Sequence, residues 1–232
     1  MIPIRDDAPR LTTPFITYFL IAMNILIFLF EVSLGQAERV GFIYQFGVVP
    51  NTVTDSLSGK GLVSVPAAAI PMLTSMFLHA SWLHLIANMW ALWIFGDNIE
   101  DHVGHFRYIA LYLASGFFAS VLHVAFNQDS QIPAVGASGA IAGVMGAYFL
   151  LFPSARVLTI MPIVFVFVWL PAWIVLGYWF VAQFLSGAAT SIARTSGTTG
   201  GVAFWAHVGG FLAGVSLIKL FPAAHPRYRF ED

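Results

Sequence analysis

A serine flanked by glycines is the part of this sequence whose residue types best suit catalysis. Ser138 lies in the run Gly136-Ala137-Ser138-Gly139, at the head of an apolar stretch. A serine hydroxyl becomes a good nucleophile when a base removes its proton, and histidine is the usual base near neutral pH. His207 is the candidate base, so the two residues together indicate acyl-transfer chemistry.

Two polar residues one helical turn apart could stabilise the negative charge that such a reaction creates. His84 and Asn88 are spaced i and i+4, which places both side chains on one face of a helix. The backbone N–H of Ser138, at a helix start, would be a third donor. Because acyl transfer needs donors at the developing oxyanion, the sequence predicts an oxyanion hole made by His84, Asn88 and Ser138.

The composition indicates which kind of element must position these residues. The chain of 232 residues is 59% hydrophobic and 9% charged, whereas soluble domains carry about 25% charged residues. The absence of cysteine excludes disulfides, a thiolate nucleophile and cysteine metal ligands. We expect a single domain over residues 1–232, membrane-embedded over about 13–221. The net charge of −1 gives no reason to expect a nucleic-acid partner.

Long apolar runs predict an all-α membrane protein with six transmembrane helices. The predicted spans are 13–30, 82–95 with a start as early as 72, 106–126, 137–152, 163–185 and 202–221. No Asp or Glu lies within these limits, so a histidine in the spans has no expected carboxylate partner. The site is therefore predicted to be a Ser138–His207 dyad in which packing holds the imidazole.

The distribution of basic residues predicts the orientation of the spans. Six spans place both termini on one side, and that side carries seven of the ten Lys and Arg residues. Since cytoplasmic loops are rich in Lys and Arg, we expect cytoplasmic termini, in a prokaryotic inner membrane. The long first connection, about 31–71, then lies at the outer face, and its apolar stretches favour a partly embedded loop.

The spacing of small residues predicts close contact between the helices that carry Ser138 and His207. Small residues let membrane helices approach one another. They recur every four residues in both predicted spans, near the reactive side chains. The glycines concerned are Gly139 and Gly143 in the fourth span, and Gly210 and Gly214 in the sixth.

The candidate residues are also expected to meet at one depth. The fourth span has about 16 residues, or roughly 24 Å of helix, against a hydrocarbon core of about 30 Å. Ser138 should therefore lie below the outer surface, near His84 and His207 at the outer ends of their spans. Each polar pair alone is usually explained by helix packing, but the matched depth favours a shared site.

These motifs, in this order, resemble the rhomboid family of intramembrane serine proteases. The matching runs are His84-Leu-Ile-Ala-Asn88, Gly136-Ala-Ser138-Gly139, Ala206-His207-Val-Gly-Gly210 with Gly214, and Gly96-Asp-Asn-Ile-Glu100-Asp101. The resemblance implies a six-helix rhomboid bundle without metal or cofactor, with Ser138 as nucleophile and His207 as general base. It also implies that Gly136 lies in the loop shaping the oxyanion hole and that the fifth span is a mobile lateral gate. The implied substrates are single-span membrane proteins, cut near the outer end of their spans.

Two positions depart from the family pattern. Some members carry an aromatic residue four positions after the serine, where it stacks on the histidine, and this chain has Ala142 there. Many members have a Trp-Arg pair in the first loop, and no such pair occurs within residues 31–71. The sequence thus leaves open what orients His207 and how the first loop is anchored.

Three other interpretations compete with a hydrolase. A catalytically silent, rhomboid-like binder of membrane clients is the alternative, although such proteins lack the serine or the histidine. A transporter with a histidine proton relay is disfavoured because no acidic or basic group lies at the midplane of the spans. A zinc site among the outer histidines is disfavoured because neither an HExxH motif nor a carboxylate completes it. Those histidines are His79, His84, His123 and His207.

Overall fold

The computed structural model describes residues 1–161, 166–193 and 203–224, and most of them are helical. The helices are α1 (Phe15–Ser33), α2 (Gln36–Phe46), α3 (Pro50–Leu57), α4 (Val65–Ala69), α5 (Pro71–Thr74), α6 (Trp82–Val103), α7 (His105–Ala125), α8 (Ser138–Leu151), α9 (Ala172–Ala193) and α10 (Phe204–Leu217). The strands β1 (Ile2–Asp6), β2 (Arg156–Met161) and β3 (Val166–Pro171) form one sheet in the order β1-β2-β3. Short 3-10 helices occupy Ser75–Phe77 and Ile218–Leu220.

Three of the described helices, α1, α7 and α9, are long and apolar enough to cross a membrane. A fourth span results if Val65–Phe77 is joined to α6 across a bend of 82°. This bend interrupts the second predicted span if that span is taken to begin near residue 72. The apolar helices α8 and α10 have 14 residues each. At roughly 21 Å they are shorter than the hydrocarbon core. The chain is thus a multi-pass membrane protein, while the predicted count of six spans is not confirmed.

Some predicted features fall outside the described residues. Residues 163–165 and 202 begin the predicted fifth and sixth spans, and nothing is described there. The same holds for three of the basic residues used to predict orientation, which are Arg194, Arg227 and Arg229.

The short helix α8 lies at the centre of the helix bundle. Its residues from Gly139 to Tyr148 are buried, and it packs against α6, α7, α9 and α10. The contact with α10 is especially close, because a methyl group on Gly210 would overlap the backbone of Gly139. One turn further on, a methyl group on Gly214 would overlap the backbone carbonyl of Gly143. Glycine at these positions lets the two helices that carry Ser138 and His207 touch.

Two carboxylates near the end of α6 fix the start of α1. Glu100 accepts hydrogen bonds from the backbone N–H groups of Ile16 (2.8 Å) and Thr17 (2.7 Å). Asp101 accepts one from the backbone N–H of Thr12 (2.7 Å). The first N–H groups of a helix have no partner within it, and negative charge suits this end of the helix dipole. These bonds therefore position α1 against α6.

Two buried carboxylates, Glu31 and Glu100, lie in helices just beyond the predicted limits of the first and second spans. The helices extend past the predicted spans, α1 to Ser33 and α6 to Val103. Glu31 and Glu100 are consequently helical, and both are fully buried. The predicted ends of these two helices are too early because each helix continues beyond its apolar run, where hydropathy no longer reports it.

The sheet corrects the expectation of an all-α chain. The predicted fifth span is strand β3 over residues 166–171, and its helix, α9, begins only at Ala172. Strands β2 and β3 pair antiparallel, with Arg156 opposite Pro171 and Met161 opposite Val166. Strand β1 adds to the other edge of β2. A short apolar run rich in Val, Phe and Trp suits a strand as well as a helix, so hydropathy alone does not separate them.

Candidate active site

Ser138 and His207 lie within hydrogen-bond distance of each other. Ser138 is the first residue of α8, and His207 lies near the start of α10. The Oγ of Ser138 is 2.8 Å from Nε2 of His207, which is 8% exposed. With the hydroxyl donating to Nε2, the imidazole is placed to accept the serine proton.

Helix α9 supplies two contacts to the His207 ring that the sequence reasoning missed. Oε1 of Gln183 lies 2.7 Å from Nδ1 of His207. The Trp179 ring lies against the imidazole, with centroids 5.6 Å apart and planes at 36°. The expectation that packing alone holds the imidazole was wrong, since a hydrogen bond also holds it. A lone Gln in a long apolar run was the available signal, because polar side chains are costly in membrane spans.

The loop before α8 brings His84 and Asn88 together at Gly136. Gly136 has φ of +127°, a region that favours glycine, and its N–H donates to the Ser75 carbonyl (2.8 Å). A Cβ on Gly136 would lie 2.7 Å from Nε2 of His84 and 3.6 Å from Nδ2 of Asn88. Both side chains of the predicted oxyanion hole therefore converge two residues before Ser138.

His79 lies behind Asn88, a contact that the sequence reasoning also missed. Nδ2 of Asn88 is 2.9 Å from Nε2 of His79, which is fully buried. The backbone N–H of His79 in turn donates to Oε1 of Glu31 (3.1 Å). The buried carboxylate of Glu31 thus holds His79 in place, and His79 holds the Asn88 amide.

The comparison with protein families matches residues 66–223 to the rhomboid domain. The chain belongs to the rhomboid family. The matched residues contain Gly136, Ser138, His207 and the α6 pair His84 and Asn88.

This rhomboid is similar to curated proteins from fungi, animals and bacteria. It is 33% identical over 150 residues to "Rhomboid protein 1, mitochondrial" of Saccharomyces cerevisiae, over 63% of this chain and 40% of the relative. It is 33% identical over 165 residues to "Presenilin-associated rhomboid-like protein, mitochondrial" of Mus musculus, over 66% of this chain and 39% of the relative. It is 36% identical over 135 residues to "Rhomboid protease GluP" of Bacillus subtilis, over 58% of this chain and 24% of the relative. The matches thus span well under half the length of each relative.

A small cavity in this rhomboid adjoins the serine. Its volume is about 30 Å³. A site for one water needs roughly 10–15 Å³ of such volume, so the cavity has room for about two. It lies between α7 and the loop before α8, and its lining includes Gly116, Ala119, Ser120, His123, Gly136 and Ser138.

The outer histidines of the rhomboid take part in different hydrogen bonds. His79 bonds to Asn88, and His207 lies between Ser138 and Gln183. Within residues 1–161, 166–193 and 203–224, no three His, Asp or Glu side chains form a group that could hold a metal ion. The arrangement around His207 suits proton transfer to and from Ser138.

Proposed function

We propose that this rhomboid is an intramembrane serine endopeptidase with Ser138 as nucleophile and His207 as general base. The observation that carries the proposal is the 2.8 Å distance between Ser138 Oγ and His207 Nε2. The proposed partners are the lipid bilayer and single-pass transmembrane substrates, which are cut near the outer end of their helix. The reaction proposed needs no cofactor.

The acylation step follows from the positions of the donors and the base. Ser138 Oγ attacks the carbonyl carbon of the scissile peptide, and its proton moves to Nε2 of His207. The oxyanion accepts hydrogen bonds from the Ser138 backbone N–H, the Asn88 amide and the His84 ring. The C–N bond then breaks, and His207 gives the proton to the departing amine. An acyl ester on Ser138 remains.

Hydrolysis of the ester again uses His207 as the general base. A water molecule loses a proton to Nε2 of His207 while its oxygen attacks the ester carbonyl. The C–Oγ bond breaks, and His207 returns the proton to Ser138. The cavity of about 30 Å³ beside Ser138 is a suitable place for this water.

The need to unwind a membrane helix favours a substrate with helix-destabilising residues such as glycine near the cut. A helical backbone in a membrane satisfies its own hydrogen bonds, so the substrate must unwind before its carbonyl can reach Ser138. Glycine lowers the stability of a helix by about 1 kcal/mol relative to alanine.

The proposed topology is a six-helix rhomboid bundle over a domain of residues 1–232, with both termini on the inner side of its membrane and 31–71 as an outer loop. In it, α8 and α10 are the fourth and sixth helices: α8 is enclosed by α6, α7, α9 and α10, while α10 packs on α7, α8 and α9 and keeps one exposed face at Leu212. Relatives with mitochondrial names argue against restricting the chain to a prokaryotic inner membrane. We therefore propose a multi-pass membrane protein without assigning the compartment.

Cleavage of a single-span substrate in liposomes tests the proposed function. We expect Ser138→Ala and His207→Ala to abolish cleavage while the thermal unfolding temperature is retained. Ser216→Ala is the matched control, because that exposed serine of α10 bonds only to its own helix at Leu212 (2.8 Å) among the described contacts. Cleavage by the Ser138→Ala protein at the unaltered rate would contradict the proposal. If the unaltered protein binds the substrate but does not cleave it, the result would favour a catalytically silent client binder.

A further inference from the structure

An amide on α9 faces the side of His207 that points away from the serine. Gln183 Oε1 lies 2.7 Å from Nδ1, and Ser138 Oγ lies 2.8 Å from Nε2. Both ring nitrogens are therefore bonded by side chains from other helices. Since His207 is 8% exposed, little room is left for water to replace either bond.

The chemistry of the amide oxygen decides which nitrogen carries the proton. A carbonyl oxygen only accepts hydrogen bonds, so Nδ1 of His207 must hold the hydrogen. A neutral imidazole has one N–H, which leaves Nε2 with a lone pair toward Ser138. A general base needs this form, because the other tautomer would present an N–H to the serine and could not take its proton.

The same face of α9 also limits the tilt of the ring. Trp179 precedes Gln183 by four residues, so the two side chains lie on one face of the helix. The Trp179 ring is 5.6 Å from the imidazole, while the hydrogen bond that His207 Nδ1 donates to Gln183 Oε1 opposes rotation about the Cβ–Cγ bond of His207. Position and tautomer of the base are thus both set by α9.

Within the part of the chain that the structure describes, the ionisable groups that act electrostatically on His207 are His84 of α6 and His123 of α7, and no carboxylate is among them. Glu31, a buried carboxylate of the outer half of the bundle, bonds to the backbone of His79 instead. A neutral acceptor therefore occupies the place beside Nδ1.

We propose that Gln183 is a positioning residue that holds His207 as the Nδ1–H tautomer with Nε2 turned toward Ser138. The inference rests on the proposed function, since it concerns the base of that reaction. It also links the activity of Ser138 to the position of α9, because moving α9 away from α10 breaks the hydrogen bond that His207 Nδ1 donates to Gln183 Oε1.

Two substitutions at position 183 separate positioning from packing. Gln183→Leu keeps the bulk of the side chain but removes the acceptor. We expect its kcat to fall about tenfold with KM unchanged, because the free energy of about one hydrogen bond is lost. Gln183→Glu keeps the acceptor and adds charge that stabilises the imidazolium, so it should remain active and move the acidic limb of the pH–rate profile to higher pH. The matched control is Ser191→Ala, which removes another α9–α10 hydrogen bond, from Trp205 Nε1 (2.9 Å). Its kcat should stay within about twofold, since a bond between the same helices is lost without touching His207.

The measurement is the pH dependence of kcat for the full chain in liposomes with a single-span substrate. An unchanged kcat in Gln183→Leu, or an acidic limb that does not move in Gln183→Glu, would overturn the proposal. If Gln183→Leu does not fold, the profile of Gln183→Glu decides alone, because a packing role does not move it. Failure of the proposed function would give a different result. The unaltered protein would then not cleave the substrate, or the Ser138→Ala protein would still cleave it.

Discussion

At the residue scale, the amide of Asn88 is the donor whose loss is most informative. Its Nδ2 carries two hydrogens, and the bond to His79 directs one and leaves the other for an oxyanion. We predict that Asn88→Ala lowers kcat by at least about a hundredfold, since one oxyanion donor contributes about 3 kcal/mol. Steady-state cleavage of the substrate in liposomes measures it, with thermal unfolding as the check on folding. A kcat within twofold of the unaltered protein would remove Asn88 from the oxyanion hole.

Residue spacing revealed part of this site and concealed the rest. His84 with Asn88, and Gly136 with Ser138, are neighbours in sequence, so a helix or loop brings each pair together by local geometry. Gln183 is 24 residues before His207, and their contact depends on how α9 is rotated against α10. No local pattern encodes that rotation, which is why sequence reasoning left the orientation of the base unexplained.

At the element scale, the contact between α8 and α10 depends on glycine. A methyl group on Gly210 would overlap the Gly139 backbone, so we predict that Gly210→Ala destabilises the protein by about 3 kcal/mol. Gly41→Ala is the control, since nothing lies within 4 Å of a Cβ there and alanine favours helix α2. Thermal unfolding in detergent compares the two. Equal unfolding temperatures for the two variants would mean that α8 and α10 are not packed as described.

The sheet gives a pH-dependent prediction. Burial raises the pKa of Asp6 above 3.8, although a hydrogen bond from the Tyr148 hydroxyl partly offsets it. Because the pKa of Asp6 is raised in the folded state, its carboxyl contributes favourably to the free energy of unfolding below pH 3.8. This contribution is lost as the pH rises through the pKa of the folded state. Asp6→Asn should therefore raise the unfolding temperature at pH 7 and change it little at pH 3.5, because the amide stays neutral and still accepts from Tyr148. A lower unfolding temperature at pH 7 would contradict the assignment.

The elements themselves were predictable where hydropathy and helix length agree. The apolar runs of α1 and α7 gave helices close to their predicted limits. Hydropathy failed at β3, where an apolar run is a strand, and at the ends of α1 and α6, where Glu31 and Glu100 are helical and buried. Hydrogen bonds from distant backbone groups stabilise Glu100, and a sequence pattern does not report such partners.

At the scale of the whole molecule, the absence of cysteine makes the topology directly testable. A six-helix arrangement places Lys60 and Gln128 on the outer side and Lys219 on the inner side, and all three are exposed. We predict that cysteines at 60 and 128 react with an impermeant maleimide on one face of sealed vesicles, and a cysteine at 219 on the other. Labelling of all three from one face would rule out the six-helix topology, while the site geometry would stand.

The central claim is that His207 makes Ser138 a nucleophile, and the mass of the protein after reaction with a fluorophosphonate tests it most directly. We predict one adduct per chain, located on Ser138 by peptide mass spectrometry, with labelling lost in His207→Ala and retained in Ser216→Ala. No adduct on Ser138 in the folded, unaltered protein, or equal labelling of Ser138 after His207→Ala, would contradict the account.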